Sequence, residues 1–278
     1  MAFVEVNFFS QALLRQTTFR AIIPCDKMYF DGRIRQEKPF KTLYLLHGVF
    51  GDCTDWINGT RIQRWAQDRN LAVIMPSGEN KFYVDHEKST DKFSQYIKEL
   101  VLVSRNMFHL SHKREDTFIA GLSMGGYGAV TNGLKYSDLF SHIAGLSAAL
   151  QIEDFVHATE DAPMPIARRS YLESVFGDLD KLPGSDKDFR TLAKTLAKSG
   201  KPLPKMYLTC GTEDALMTCN RAFRDELEAL GYDVTWREGP GGHDWDFWDR
   251  WILDVLSWLP LDAPEEAVSS GNVQEKEQ

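Results

Sequence analysis

The sequence predicts an α/β protein with one mostly parallel, doubly wound sheet and helices on both faces. Five short runs are almost wholly apolar, as expected of strands that are covered on both faces: TLYLLHG, LAVIMP, TFIAGLS, HIAGLSA and KMYLTCG. Segments of helical length lie between them, with apolar residues recurring at three and four positions. This alternation of strands and helices is typical of a parallel sheet.

The elements follow one another regularly along the chain. FVEVNFF and TTFRAIIP come first and predict two half-exposed, antiparallel strands at the edge of the sheet. The predicted helices are TRIQRWAQDRN, KFSQYIKELVLVSRNMF, GGYGAVTNGLKY and CNRAFRDELEALG, and the strand DVTWRE precedes an apolar final helix. We therefore expect a single domain over residues 1–262.

The alternation of strands and helices is interrupted at about residues 150–185. This stretch carries prolines and charges but no convincing strand, so we expect a partly helical insertion over the site. Residues 263–278 are polar and have no helix caps, which predicts a disordered tail.

Composition and charge argue against several classes of protein. Hydrophobic residues make up 43% of the 278 residues and the formal net charge is −8, as in an ordinary soluble globular protein. No basic cluster is available for nucleic acid or an anionic membrane surface. The N-terminus lacks the features of a secretory signal, and no run reaches the ~18 apolar residues of a membrane span, so we expect a cytoplasmic protein.

The four cysteines, Cys25, Cys53, Cys210 and Cys219, are scattered without the spacing of a metal site, and we expect reduced, mostly buried thiols. The sequence leaves open whether the protein forms a homo-oligomer.

The stretch TFIAGLSMGGYGAV places Ser123 between a predicted strand and a predicted helix. Gly121 and Gly125 complete the pattern G-x-S-x-G, in which glycines leave room for a sharp turn that exposes the serine. Ligands bind at this end of the strands in α/β sheets, and the helix N-terminus favours negative charge forming near the serine. A tight turn without a chemical role is the alternative until partners for Ser123 are found.

A serine becomes a nucleophile when a base takes its proton and a carboxylate orients that base, in the chain order Ser, Asp or Glu, His. His243 fits the base because it lies in a glycine-rich loop between the last predicted strand and the final helix. We expect other roles for the remaining histidines. His47 should hold its own loop by hydrogen bonding, and His86 should line the pocket or be structural. The others should be solvated or structural: His109, His112, His142 and His157.

Two carboxylates follow the strand KMYLTCG. We favour Asp214 over Glu213 because a short side chain suits a tightly placed carboxylate in this loop; Glu213 is the alternative.

Attack by the serine on a carbonyl creates an oxyanion that needs hydrogen-bond donors. Met124 follows the serine and supplies one backbone N–H. The loop in YLLHGVFGDCTDW supplies the other, for which we expect Val49, with Phe50 as the alternative. This chemistry needs no metal and no cofactor.

Several aromatic residues lie in loops that converge on the predicted site. They are candidates for the walls of a substrate pocket, although each could instead close the core: Phe50, Trp56, Phe82, Tyr83 and Trp245.

Six motifs, in this order and at these separations, resemble the esterase D-like group of α/β-hydrolases: LLHGVFGDCTDW, IMPSGENKFYVD, FSQYIKELVLV, FIAGLSMGGYGAV, CGTEDALM and GGHDWDFW. That group includes tributyrin esterases, acetyl- and feruloyl-xylan esterases and S-formylglutathione hydrolases. The resemblance spans residues 3–259. It implies an α/β-hydrolase fold in which Ser123 is the nucleophile, His243 the base, Asp214 its orienting carboxylate, and the Val49 and Met124 N–H groups the oxyanion hole.

The resemblance also bears on the substrate. S-formylglutathione hydrolases usually carry Gly-Leu-Thr-Cys in the oxyanion loop, whereas HGVFGDC places Cys53 further along. We therefore predict a serine esterase for small esters with short or aromatic acyl groups. The alternatives are a carbohydrate deacylase for acetylated or feruloylated oligosaccharides, an S-formylglutathione hydrolase, and a non-catalytic binding protein on a hydrolase scaffold.

Overall fold

The computed structural model describes residues 1–28, 38–264 and 268. In this part of the chain eight strands form one sheet in the order β1-β2-β4-β3-β5-β6-β7-β8. The strands are β1 Ala2–Ser10, β2 Arg15–Ile23, β3 Lys41–Leu46, β4 Leu71–Pro76, β5 Thr117–Leu122, β6 His142–Leu146, β7 Lys205–Gly211 and β8 Val234–Gly239. The α-helices are α1 Asp55–Gly59, α2 Ile62–Asp68, α3 Phe93–Met107, α4 Met124–Lys135, α5 Ile152–Val156, α6 Arg169–Phe176, α7 Phe189–Ala197, α8 Met217–Ala229 and α9 Trp245–Trp258.

The two N-terminal strands form the antiparallel edge that the sequence predicted. β1 pairs with β2 along its whole length, and β2 pairs antiparallel with β4. All pairings from β4 through β3, β5, β6 and β7 to β8 are parallel. Alternate side chains of β1 are exposed, because one face of this edge strand remains in solvent.

Helices cover both faces of the sheet and divide the core in two. One cluster of buried side chains joins the sheet to α3, α4, α7 and α8. The other joins it to α1, α2 and α9. β4 and β5 are buried at every position because both of their faces are covered, which confirms the predicted α/β fold.

The chain between β6 and α7 contains the predicted insertion. We name residues 151–185 the cover segment. It holds α5, α6 and two 3₁₀ helices, Pro165–Ala167 and Leu179–Lys181, and its aromatic side chains pack on the first core cluster. Of the predicted tail at 263–278, residues 265–267 and 269–278 lie outside the described residues, so that expectation stays a prediction.

Two further expectations concern thiols and membranes. All four cysteines are unpaired; Cys53 and Cys210 are buried, and Cys25 and Cys219 are partly buried. Among the described helices, none has both the length and the apolar character needed to cross a membrane.

Candidate active site

Ser123 lies at the turn between β5 and α4, at the carboxyl edge of the parallel strands. Its φ of 52° and ψ of −118° are rarely adopted by residues other than glycine. The surrounding backbone holds this conformation: the Ser123 N–H donates to the Leu146 carbonyl at 2.9 Å, and its own carbonyl accepts from the Tyr127 and Ala149 N–H groups at 3.0 Å. Strained backbone of this kind concentrates at functional sites.

The glycines of the turn have no space for a side chain. A Cβ at Gly121 would lie 2.3 Å from the Gly125 carbonyl oxygen. A Cβ at Gly125 would lie 2.4 Å from the Leu46 carbonyl oxygen. Strand and helix approach so closely here that backbone atoms fill the volume of both missing side chains.

The structure brings Ser123, His243 and Asp214 together, although 120 residues separate the serine from the histidine. His243 Nε2 lies 2.9 Å from Ser123 Oγ, and His243 Nδ1 lies 2.9 Å from Asp214 Oδ2. In the neutral tautomer that fits both contacts, Nδ1–H donates to the carboxylate and Nε2 accepts from the serine hydroxyl.

The Asp214 carboxylate is almost fully buried, with 1% of its side chain exposed. Burial raises the pKa of this group, but hydrogen bonds from His243, the Leu216 N–H and the Ser147 hydroxyl outweigh burial, and the net pKa lies below its usual value. The Leu216 N–H donates to Asp214 Oδ1 at 2.8 Å. Asp214 therefore stays ionised beside the imidazole.

The alternative carboxylate, Glu213, points elsewhere. It accepts hydrogen bonds from the Gly241 N–H and the Thr212 hydroxyl and so fastens the loop that carries His243. The adjacent residues thus have different partners: Asp214 contacts the imidazole, and Glu213 contacts the backbone of the loop that carries the imidazole.

Two backbone N–H groups near Ser123 are available to a ligand. Val49 and Met124 both line the cavity beside the serine. Within the described chain, neither N–H donates a hydrogen bond. The Phe50 N–H, the alternative donor, instead donates to Asn80 Oδ1 at 2.7 Å. The structure therefore does not leave the Phe50 N–H free to donate to a ligand.

His47 pins the loop that carries Val49. Its Nε2 accepts from the Gly78 N–H at 2.8 Å, and its Nδ1–H donates to the Gly48 carbonyl at 2.6 Å. The Tyr83 hydroxyl donates to the His47 carbonyl at 3.2 Å. Burial lowers the pKa of His47, so the imidazole keeps the neutral form that both ring contacts need.

A cavity of about 510 Å³ opens over Ser123, and most of its lining is apolar. The sheet side and the neighbouring loops contribute Gly48, Val49, Phe50, Asp55, Phe82, Leu122, Ser123, Met124, Ala149, Leu216, His243, Trp245 and Trp248. The cover segment contributes Gln151, Asp154, Phe155, Met164, Ile166, Ala167 and Leu172. The insertion therefore forms one wall of the cavity.

The predicted wall residues divide into two groups. Phe50, Phe82 and Trp245 line the cavity. Trp56 does not: it is 1% exposed, donates from Nε1 to the Leu46 carbonyl, and packs beneath Trp245 with the ring centroids 5.6 Å apart. Tyr83 is also buried in the core.

His86 lies outside the cavity lining as well. Its Nδ1 accepts from the Lys88 N–H within its own loop. Trp56, Tyr83 and His86 are therefore not among the lining residues, although the sequence suggested them, because the sequence does not show whether a side chain turns toward the site or the core.

Sequence reasoning missed Trp248. Its ring lies 4.9 Å from that of His243 in a T-shaped arrangement, and its Nε1–H donates to Ser147 Oγ at 3.3 Å. Trp248 follows Trp245 by three positions on α9, so the helical spacing could have indicated it. No sequence pattern indicated which residues of the cover segment line the cavity, because the segment contains no strand that would fix the direction of their side chains.

The described residues contain no group of three or more His, Cys, Asp or Glu side chains arranged to hold a metal ion. The site therefore offers a hydrogen-bonded serine, imidazole and carboxylate, two free N–H groups and an apolar cavity. Together with the sheet topology, these features define a hydrolase with an α/β-hydrolase fold.

Comparison with known proteins identifies the family. A family model described as "Putative esterase" matches residues 10–259, and the chain belongs to this esterase family. An acetyl esterase of Caldicellulosiruptor saccharolyticus is 43% identical over 262 residues, which cover 93% of this chain and 98% of that protein. The protein is a carboxylic ester hydrolase.

Two solved structures from Staphylococcus aureus are similar in fold and sequence. One is FphF, a fluorophosphonate-binding serine hydrolase, with a TM-score of 0.82. The other is the S-formylglutathione hydrolase FrmB, with a TM-score of 0.80. Each is 31% identical to this chain, and each comparison covers 93% of this chain and 98% of the other.

Proposed function

We propose that the protein hydrolyses small esters with short or aromatic acyl groups through a Ser123-His243-Asp214 triad. The observation that carries this proposal is the unbroken pair of contacts at 2.9 Å from Ser123 Oγ through the imidazole to Asp214. The imidazole can take the serine proton only in this orientation, and the buried carboxylate stabilises the imidazolium that forms.

The reaction has two halves. Ser123 Oγ attacks the ester carbonyl while His243 Nε2 accepts the hydroxyl proton, and the Val49 and Met124 N–H groups donate to the oxyanion. The imidazolium then protonates the alcohol oxygen as the ester bond breaks, which leaves an acyl group on the serine. Water, deprotonated by His243, repeats the addition, and the acid leaves as Ser123 regains its proton.

The apolar cavity supports acyl groups larger than acetate, because Phe82, Phe155 and Leu172 offer flat or branched apolar surface beside the serine. Its volume of about 510 Å³ is in the range of small-molecule sites and would accept an aromatic acyl group.

A carbohydrate deacylase is the second candidate, supported by three polar side chains in the same cavity. Asp55, Gln151 and Asp154 can accept hydrogen bonds from the hydroxyl groups of a sugar alcohol. The same carboxylates disfavour S-formylglutathione, which itself carries a net negative charge. A sugar with an acetyl group would place its ring toward this polar part of the wall.

The proposal is tested with p-nitrophenyl acetate and butyrate. The wild-type protein hydrolyses both, and Ser123→Ala lowers kcat by about 10⁴-fold or more. The melting temperature of the variant should match that of the wild type, because only one oxygen atom is lost. Undiminished turnover in Ser123→Ala would rule out Ser123 as the nucleophile.

The two candidate substrate classes are separated by kcat/KM measured for alkyl butyrates, methyl ferulate and acetylated xylo-oligosaccharides in one buffer. A preference for the oligosaccharide of tenfold or more, ~1.4 kcal/mol in transition-state binding, would favour the deacylase. A smaller preference would favour the general esterase.

A further inference from the structure

The loop after β4 holds the loop after β3 in place through hydrogen bonds. We name residues 47–51 the oxyanion loop and residues 77–83 the template loop. The template loop reaches the oxyanion loop through Gly78, which donates to His47, and through Tyr83, whose hydroxyl donates to the His47 carbonyl. A third contact, from the Phe50 N–H to Asn80 Oδ1, lies beyond Val49, on the far side from His47.

The third contact holds an unfavourable backbone conformation. Phe50 has a φ of 68°, in the left-handed region that is unfavourable for a bulky residue. Its side chain is 70% exposed, so packing of the ring contributes little to holding it there. The hydrogen bond to Asn80 fixes the peptide plane between Val49 and Phe50. The Val49 N–H belongs to the preceding Gly48–Val49 peptide, whose carbonyl accepts from His47 Nδ1–H. The two bonds anchor the peptides on both sides of Val49 and together limit the direction of its N–H.

Asn80 is itself held by the cover segment. Its carbonyl accepts a hydrogen bond from the Tyr171 hydroxyl on α6. Burial raises the pKa of Tyr171 to about 12, so this hydroxyl keeps its proton at neutral pH. Leu172, the next residue, lines the cavity. Two hydrogen bonds therefore connect α6 of the cover segment, through Asn80, to the oxyanion loop.

Asn80 does not touch the substrate space. It is absent from the lining of the cavity, as is Tyr171. The acceptor role also requires the amide oxygen, since the Phe50 N–H can only donate.

We infer that Asn80 is a positioning residue for the oxyanion hole: together with the His47 bond to the Gly48 carbonyl, it anchors the peptides on both sides of Val49 and so keeps the Val49 N–H facing the carbonyl oxygen. Tyr171 couples this arrangement to the cover segment. The inference rests on the proposed function, because it assigns a purpose to the direction of the Val49 N–H. A residue with this role supports the transition state and leaves substrate binding largely unchanged.

The test compares Asn80→Ala with Asn80→Asp on p-nitrophenyl butyrate. Loss of one oxyanion donor costs about 10²–10³ in kcat, so partial loss of its alignment in Asn80→Ala should lower kcat about 10- to 100-fold. KM should stay within about threefold, because the substrate wall is intact. Asn80→Asp keeps an acceptor oxygen, and its kcat should stay within about threefold of the wild type.

A trifluoromethyl ketone with a butyl chain adds a second measurement. Its adduct with Ser123 carries an oxyanion, so its Ki in Asn80→Ala should rise by the same factor by which kcat/KM falls. Tyr171→Phe removes only the hydroxyl and should lower kcat about threefold to tenfold. Asn58→Ala is the control, because the Asn58 amide donates to the Thr54 hydroxyl away from the cavity lining.

Equal losses in Asn80→Ala and Asn80→Asp, or a loss confined to KM, would overturn the inference while leaving the esterase function intact. If Asn80→Ala does not fold, Tyr171→Phe decides: an unchanged kcat overturns the inference, and a lower kcat at constant KM supports it. Absence of activity in the wild-type protein would instead contradict the proposed function itself.

Discussion

The two walls of the cavity are built in different ways. On the sheet side, backbone atoms approach one another so closely that Gly121 and Gly125 have no room for a Cβ. On the cover side, side chains make the contacts: Phe155 packs on Phe82 at 5.5 Å, and Met164 is 52% exposed at the mouth of the cavity. The turn that carries Ser123 thus depends on backbone geometry that tolerates little change, whereas the cover side of the cavity depends on side chains that can be exchanged.

The largest expected effect lies on the sheet side, at the carboxylate. Asp214→Asn should lower kcat about 10³- to 10⁴-fold, because an amide no longer stabilises the imidazolium and can favour the wrong imidazole tautomer. Glu213→Gln is the matched control and should keep kcat within about tenfold, since Glu213 contacts Thr212 and the Gly241 N–H but not the imidazole itself. Steady-state kinetics on p-nitrophenyl butyrate measures both, and the reverse ranking would assign the role to Glu213.

Two glycine substitutions compare the walls in stability. Gly121→Ala should lower the free energy of unfolding by about 3 kcal/mol, because its Cβ meets the Gly125 carbonyl at 2.3 Å. Gly177→Ala, in the cover segment, should cost only about 1–2 kcal/mol. Its φ is 83°, and nothing lies within 4 Å of its Cβ position, so backbone strain is the whole cost. Urea unfolding measures both, and equal losses would contradict the difference between the walls.

The sheet side should also respond to pH through His47. Burial lowers the pKa of this imidazole in the folded protein, so the unfolded chain binds the proton first as pH falls below about 6.5. Stability should therefore decline from that pH downward, by at most about 1.4 kcal/mol per pH unit, until the folded pKa is reached. Urea unfolding at pH 7.5 and pH 5 should show a smaller decline in His47→Gln than in the wild type.

The smallest effect is expected at the exposed end of the cover wall. Met164→Ser should lower kcat/KM for butyrate about threefold and change acetate less than twofold, because a longer acyl chain buries more apolar surface against the lining that Met164 contributes to. Met107→Ser is the control, since Met107 is similarly exposed, at 49%, and lies outside the cavity lining. The melting temperature should not change. Equal effects on both esters would remove Met164 from the acyl wall.

The sequence predicted the sheet side far better than the cover. Buried parallel strands appear in the sequence as apolar runs, and the turn at Ser123 requires glycines. Local patterns therefore singled out Ser123, Asp214 and His243, which the structure places within hydrogen-bond distance of one another. Their meeting could be expected because parallel strands place their carboxyl ends at one edge.

The lining of the cavity depended on facts that no local pattern contains. Trp56, in α1, and Phe82, in the loop after β4, were both predicted as pocket aromatics, yet Trp56 is buried in the core and Phe82 lines the cavity. The hydrogen bond of Asn80 could not be predicted for a related reason. Its partner is a backbone N–H, which every residue except proline carries. Only the packed structure shows which side chain meets which peptide.

The attachment of the cover segment has an evolutionary consequence. The segment leaves the sheet after β6 and rejoins it through α7 and β7, so its residues can diverge without altering the register of any strand. New substrate preferences can then arise through exchange of this one segment, while the reaction is inherited unchanged. The Tyr171–Asn80 hydrogen bond limits which segments can be exchanged, since a replacement must still contact Asn80 and so hold the oxyanion loop.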